Sequence, residues 1–169
     1  ACRILDPRLI YSPSIHGRSL RTCLEICKQH KGDPMIFFLY AANGDIIGGF
    51  SPLIWVRTAG YVKLTTLDRP VENAFVFRRL REHSADIFPW SGDNDFLLQA
   101  SDVSGLAFGG DGVAISITQD LSRADSRPCK TFGGSPALLD AGDPSGNDGF
   151  EAKAETDFEL LGFEVFALV

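Results

Sequence analysis

The sequence predicts a mainly β (α+β) domain, a sandwich of two antiparallel sheets with a few flanking helices. Three observations carry this reading. Short apolar stretches rich in Phe and Ile recur between turn-forming residues. Only one segment of useful length has a helical period. The 17 Gly and 9 Pro among 169 residues supply the frequent reversals that antiparallel strands require. Two sheets packed face to face bury the apolar sides of such strands.

The elements follow in chain order. Over residues 18–30, Leu20, Cys23, Leu24 and Cys27 fall at i, i+3, i+4 and i+7, one apolar helical stripe. Ser14 or His16-Gly17 is the expected start and Gly32 the stop. Residues 34–42 form a strand that meets Asn43-Gly44, a dipeptide suited to a two-residue hairpin turn, and residues 45–50 return. Residues 74–77, 96–99 and 113–118 are further strands, the last with Ile115 and Ile117 on its core face. A short helix is expected at 103–108. The run Phe158–Val169 is apolar on both alternations, which predicts a central strand covered on both sides. In it Glu164 shares a face with Leu160, Phe166 and Leu168, unless a bulge at Gly162 turns it outward. Residues 140–156 are rich in Gly, Asp and Ala and read as a surface loop or insertion. The expected organisation is a single domain over 1–169, with 1–8 as an N-terminal extension.

Composition excludes several classes. Sixteen Lys and Arg against 22 Asp and Glu give a net charge of −6, which disfavours nucleic acid as partner. Charge is uneven: residues 1–32 are basic and 140–164 acidic, which reads as two solvated faces or, more sharply, as an acidic surface that meets a basic partner. The longest apolar run, Met35 to Ala42, is far short of the roughly 20 residues of a membrane helix, so no direct membrane insertion is expected. No charged n-region with an apolar core opens the chain, so no signal peptide is expected. Cys2, Cys23, Cys27 and Cys129 have neither metal nor disulfide-framework spacing. A reducing compartment, cytosol or nucleus, follows as the expectation, and opening on Ala suggests a domain of a longer protein.

Tests for chemistry return little. Gly133-Gly134-Ser135-Pro136-Ala137 lacks the final Gly of a nucleophile elbow. Gly109-Gly110-Asp111-Gly112 is followed by a strand, not the helix N-terminus of a phosphate loop, and Asp111 repels an anion. It reads as a tight reversal. An EF-hand pattern counted from Asp143 fails at its sixth and twelfth positions, and His16, His30 and His83 form no zinc pair. No catalytic residue, metal site or cofactor is therefore assigned. Two side chains stand apart. Cys129 lies between Arg127-Pro128 and Lys130, cations that would activate a thiol; a buried inert Cys is the alternative. Glu164, an acid among apolar neighbours, must be paired, hydrogen-bonded or protonated.

The motifs in order resemble those of the TLDc domain, the module of the oxidation-resistance proteins, over roughly residues 9–168. Tyr11-Ser12 with His16-Gly17-Arg18-Ser19-Leu20 is similar to the family's opening element, and Gly48-Gly49-Phe50 before Trp55 to its first hairpin. Phe75-Val76-Phe77 resembles its "FLF" strand, and Trp90-Ser91-Gly92-Asp93-Asn94-Asp95-Phe96 its "W-[ST]-G-x-N-x-[YF]". Leu106 to Gly112 resembles "L-x-x-GG-x-G", Cys129-Lys130-Thr131-Phe132-Gly133 "C-x-TF-N", and Asp157 to Phe166 the closing strand. The chain departs from the pattern at Val71-Glu72-Asn73-Ala74-Phe75, which lacks the family's glycines, and at Phe166-Ala167.

The resemblance implies a two-sheet sandwich in eukaryotic proteins that protect against oxidative damage, several of which bind and regulate the vacuolar proton-pumping ATPase. It implies no catalytic centre. The expectation is a cytoplasmic, non-catalytic interaction domain whose partner is that pump, recruited to organelle membranes through it. Loops carry recognition, so Ser91, Gly92, Asp93, Asn94, Gly109, Gly110, Asp111 and Gly112 are the binding candidates, with 140–156 beside them. The alternatives are a weakly redox-reactive or enzymatic domain using Cys129 or Glu164, and a structural subunit of another large assembly.

Overall fold

A computed structural model describes residues 6–52, 55, 60–61, 73–81, 84–101, 105–139 and 156–169. Ten strands and two α-helices lie among them: β1 (Pro7–Tyr11), α1 (Pro13–His16), α2 (Leu20–Gln29), β2 (Met35–Ala41), β3 (Ile46–Ser51), β4 (Phe75–Arg79), β5 (Asp86–Pro89), β6 (Leu98–Ser101), β7 (Gly105–Phe108), β8 (Ile115–Ile117), β9 (Arg123–Ser126) and β10 (Thr156–Leu168). Every pairing is antiparallel. The mainly β class is thus as expected.

The strands follow one hydrogen-bonded order, β5-β4-β3-β2-β10-β9-β8-β7-β6, with β1 also on β10. The pairings fall into two sets, β1 to β5 with β10 and β6 to β9 with β10, joined through that strand. The 13-residue β10 is the shared strand: Thr156–Glu159 pair with β9, and the stretch beyond pairs with β2 and β1. Side chains from the two halves meet in one core. Phe37 on β2 lies 4.8 Å from Phe108 on β7, ring to ring, and 5.1 Å from Trp55. All three are fully buried or within 1% of it.

Helix α2 buries Leu20, Cys23, Leu24 and Cys27, the stripe its spacing predicts. Its start differs from expectation: Ser19 is the cap, its Oγ accepting the Thr22 N–H at 3.3 Å. His16 instead ends α1, where Nδ1 accepts the Ser12 N–H at 3.2 Å and the ring stacks on Tyr11.

The β2–β3 hairpin forms, but the Ala41–Asp45 hydrogen bond encloses three residues, Ala42, Asn43 and Gly44, not two. Ala41 N–H donates to the Asp45 carbonyl and Gly44 N–H to that of Ala41. Gly44 has φ 88° while Asn43 has not left the ordinary region. A two-residue type I′ turn needs positive φ at both positions. Asn43 spends its side chain otherwise, donating Nδ2–H to Asp45 and accepting the Asp45 N–H.

Residues 105–108 form β7, which overturns the short helix expected there; all four are buried, and the strand pairs with β6 and β8. Ile115 and Ile117 face the core as expected. In β10, register shifts between Leu160 and Gly162. Leu160 therefore joins Phe163, Val165 and Ala167 in the core, and Glu164 shares its half-buried face with Phe166 and Leu168 only. The expected loop 140–156 and His83 lie outside the described residues, except that Thr156 opens β10.

Candidate interaction surface

Three segments distant in sequence meet at one surface. They are residues 90–96 after β5, Gly109-Gly110-Asp111-Gly112 after β7, and the Cys129–Ser135 turn after β9. The last holds a 3₁₀ turn at Lys130–Phe132 closed by a bridge between Cys129 and Ser135.

Thr131, fully buried, is the hub. Its hydroxyl donates to Asn94 Oδ1 at 2.9 Å and accepts the Gly110 N–H at 3.2 Å. Its carbonyl accepts the Ser91 N–H at 2.9 Å. Asn94 Oδ1 also accepts the Phe96 N–H, and Trp90 Nε1–H donates to the Asn94 carbonyl at 2.9 Å. Ser91 Oγ donates to the Lys130 carbonyl and accepts the Asp93 N–H. Lys130 N–H donates to the Asp111 carbonyl. The Cys129–Ser135 turn thus holds both of the other loops, so their order is fixed before any partner arrives.

All three glycines are required by space, and Gly109 and Gly112 by φ as well. A Cβ on Gly109 (φ 80°) would stand 2.5 Å from Cys129 Sγ, one on Gly110 2.2 Å from Phe96 Cβ, and one on Gly112 (φ 72°) 1.9 Å from the Pro128 carbonyl oxygen. The reading of this run as a tight reversal between strands holds.

What the surface offers is a mixture of charge and one aromatic. Ser91, Gly92, Asp93, Asp111 and Gly112 are exposed. Lys130 Nζ is 3.5 Å from Asp111, both in water, a pair of little energetic weight. Phe96 is 46% exposed and packs its ring 5.4 Å from Tyr61, whose hydroxyl donates to the Gly109 carbonyl.

The structure brings Ser91–Asn94 and Gly109–Gly112 together, and it places Cys129 directly beneath Gly109. It does not bring Glu164 there. Thr131, which links the loops, carries no signal of that role in its own sequence neighbourhood. Cys129 is buried, and its neighbouring cations turn elsewhere: Arg127 to Asp125 at 2.9 Å, Lys130 to Asp111.

Glu164 satisfies its requirement with Tyr40, whose hydroxyl donates to Oε2 at 2.7 Å. Burial, then the adjacent carboxylate, push the Tyr40 phenol up to about 12 from 10.0. Burial also raises Tyr11 and Tyr61. The neutral phenol is the form the fold favours, so this contribution to stability is complete below pH 10.0 and is lost as pH rises toward about 12. A spectrophotometric titration of Tyr40→Phe is expected to lose a phenol ionising near the top of that window. Its unfolding free energy should decline less over the same window than that of the parent. Loss of a phenol that ionises at the ordinary 10.0 instead would contradict the Tyr40–Glu164 contact.

Among the described residues no helix is long and apolar enough to cross a membrane.

The TLDc domain family matches residues 2–169. The chain is 30% identical over 127 residues to Oxidation resistance protein 1 of Rattus norvegicus and of Homo sapiens, covering 74% of this chain but only 14% and 13% of those proteins. It is also 27% identical over 177 residues to the GTPase-activating protein skywalker of Drosophila melanogaster, 97% of this chain and 27% of that one. With a family match along nearly its whole length, this chain belongs to the TLDc domain family.

Proposed function

We propose that the chain, as one domain over 1–169, is a non-catalytic interaction module that binds and regulates the vacuolar proton-pumping ATPase from the cytoplasm. By that route it contributes to protection against oxidative damage. The observation that carries this is the locking of Ser91–Asn94 and Gly109–Gly112 over Thr131 into one preorganised surface, exposed at Ser91, Gly92, Asp93, Asp111 and Gly112. Kinship with Oxidation resistance protein 1 supports the link to oxidative protection. The motif resemblance supports the choice of pump.

The test is capture of purified vacuolar ATPase on the immobilised chain. Saturable capture is expected, and Asp93→Arg should weaken it by about tenfold, the ratio equivalent to ~1.4 kcal/mol. Absence of capture would sink the pump assignment. Capture by the Asp93→Arg variant at parental strength would move the contact away from these loops.

Direct peroxide chemistry at Cys129 would compete with this reading. The thiol is 1% exposed, and a reactive Cys needs access as well as thiolate character. Wild type and Cys129→Ala are expected to consume peroxide at the same rate. A rate that falls in the variant would transfer the function to the thiol.

A further inference from the structure

Strand β1 pairs with β10 from Val165 onward, and β9 pairs with it up to Glu159. On that edge, residues 161–164 have no strand beside them among the described residues. At this fork a cleft of about 330 Å³ opens, lined by Ser12, Ser14, Arg18, Tyr40, Gly162 and Glu164 among others.

Glu164 is the fixed feature of the cleft. Tyr40 holds Oε2, and the other carboxylate oxygen has no partner among the described residues. Phe38 lies directly across the strand pair from Glu164 and Phe166 two residues along. A carboxylate in apolar surroundings attracts a cation more strongly than one in open water. The free oxygen can take a guanidinium or ammonium group without disturbing the Tyr40 bond. Arg18 is exposed and makes no ion pair among the described residues. On its long stem it can move aside into water.

Two exposed aliphatics stand by the cleft: Leu161, which lines it, is 62% exposed, and Ile15, the neighbour of the lining residue Ser14, is 68% exposed, two of the most exposed large hydrophobic side chains described. A positioned charge with exposed aliphatics beside it fits a protein segment better than a small molecule, because those side chains have area to bury.

We propose that this cleft docks a protein segment that places an arginine or lysine side chain on Glu164 and apolar neighbours over Ile15 and Leu161. The site uses none of the loops assigned to the pump and stands independently of that reading.

The test is a titration of the isotope-labelled chain, followed by amide resonances, with acetyl-Leu-Arg-Leu-amide. Saturable shifts at Gly162 and Ser14 are expected in the millimolar range. The norleucine analogue of the peptide should bind about fivefold more weakly, since it keeps the apolar contacts and lacks the charge. Glu164→Gln, which still accepts from Tyr40, should bring the arginine peptide down to the norleucine level. Equal binding of the two peptides by the parent chain would overturn the proposal without any variant. So would an absence of shifts at Gly162, unweakened binding by Glu164→Gln, or preference for acetyl-Leu-Glu-Leu-amide, which would make Arg18 the reader.

Discussion

Phe37→Ala is expected to cost about 4 kcal/mol of stability, within the range for emptying a large buried aromatic site. For a domain of this size that is a fall in Tm of about 12 °C. The ring is fully buried and touches three others: Phe108 at 4.8 Å, Trp55 at 5.1 Å and Phe163 at 6.2 Å. Two of these belong to β7 and β10, so the cavity would open where the halves of the sheet order meet. Gly49 shows how tightly the place is filled, since a Cβ there would lie 2.8 Å from the Phe37 ring and 3.1 Å from that of Phe108. Urea unfolding checks the value, and Phe96→Ala, an exposed aromatic, should cost about 1 kcal/mol or less. A double-mutant cycle with Phe108→Ala should return a coupling of about 1 kcal/mol. Similar costs for Phe37→Ala and Phe96→Ala would mean that the two halves are not held together through this cluster.

Periodicity made the long regular elements legible. Leu20, Cys23, Leu24 and Cys27 announce α2 because one helical face alone meets the core. The doubly apolar run after Phe158 announces β10 as the central strand. What escaped was short, charged or set by distant contacts. Strand β9 reads Arg-Ala-Asp-Ser; Arg123 is exposed and Asp125 half-buried while Ala124 and Ser126 go inside, and four residues carry too little pattern to read. Gly105–Phe108 suits helix or strand by composition, and only its partners β6 and β8 decide. The slip of Leu160 to the core face depends on the bulge before Gly162, where a Cβ would stand 3.0 Å from the Tyr40 ring. In the loop cluster, the family motifs marked Ser91–Asn94 and Gly109–Gly112. Their meeting over Thr131 is a tertiary fact, because nothing local to Lys130-Thr131-Phe132 names Asn94 or Gly110 as partners.

Gly112→Ala should separate the fold's need for that loop from the function's need for it. Gly112 (φ 72°) and Gly134 (φ 71°) have nearly the same left-handed backbone, but a Cβ on Gly134 meets nothing within 4 Å, whereas on Gly112 it stands 1.9 Å from the Pro128 carbonyl oxygen. Gly134→Ala therefore bears the conformational cost alone, about 1 kcal/mol. Gly112→Ala adds a backbone collision, and about 3 kcal/mol in total is expected, with Tm lower by about 9 °C. The difference between the two variants measures the steric part directly. Relief of the collision must move either Pro128 or the Asp111-Gly112 peptide. The Lys130 N–H to Asp111 carbonyl bond ties both to the Thr131 hub. At a temperature where both variants remain folded, Gly112→Ala should lose capture of the vacuolar ATPase, and Gly134→Ala should keep it. If Gly112→Ala is destabilised as expected yet captures the pump like the parent, the glycine run is structural and recognition lies on another face.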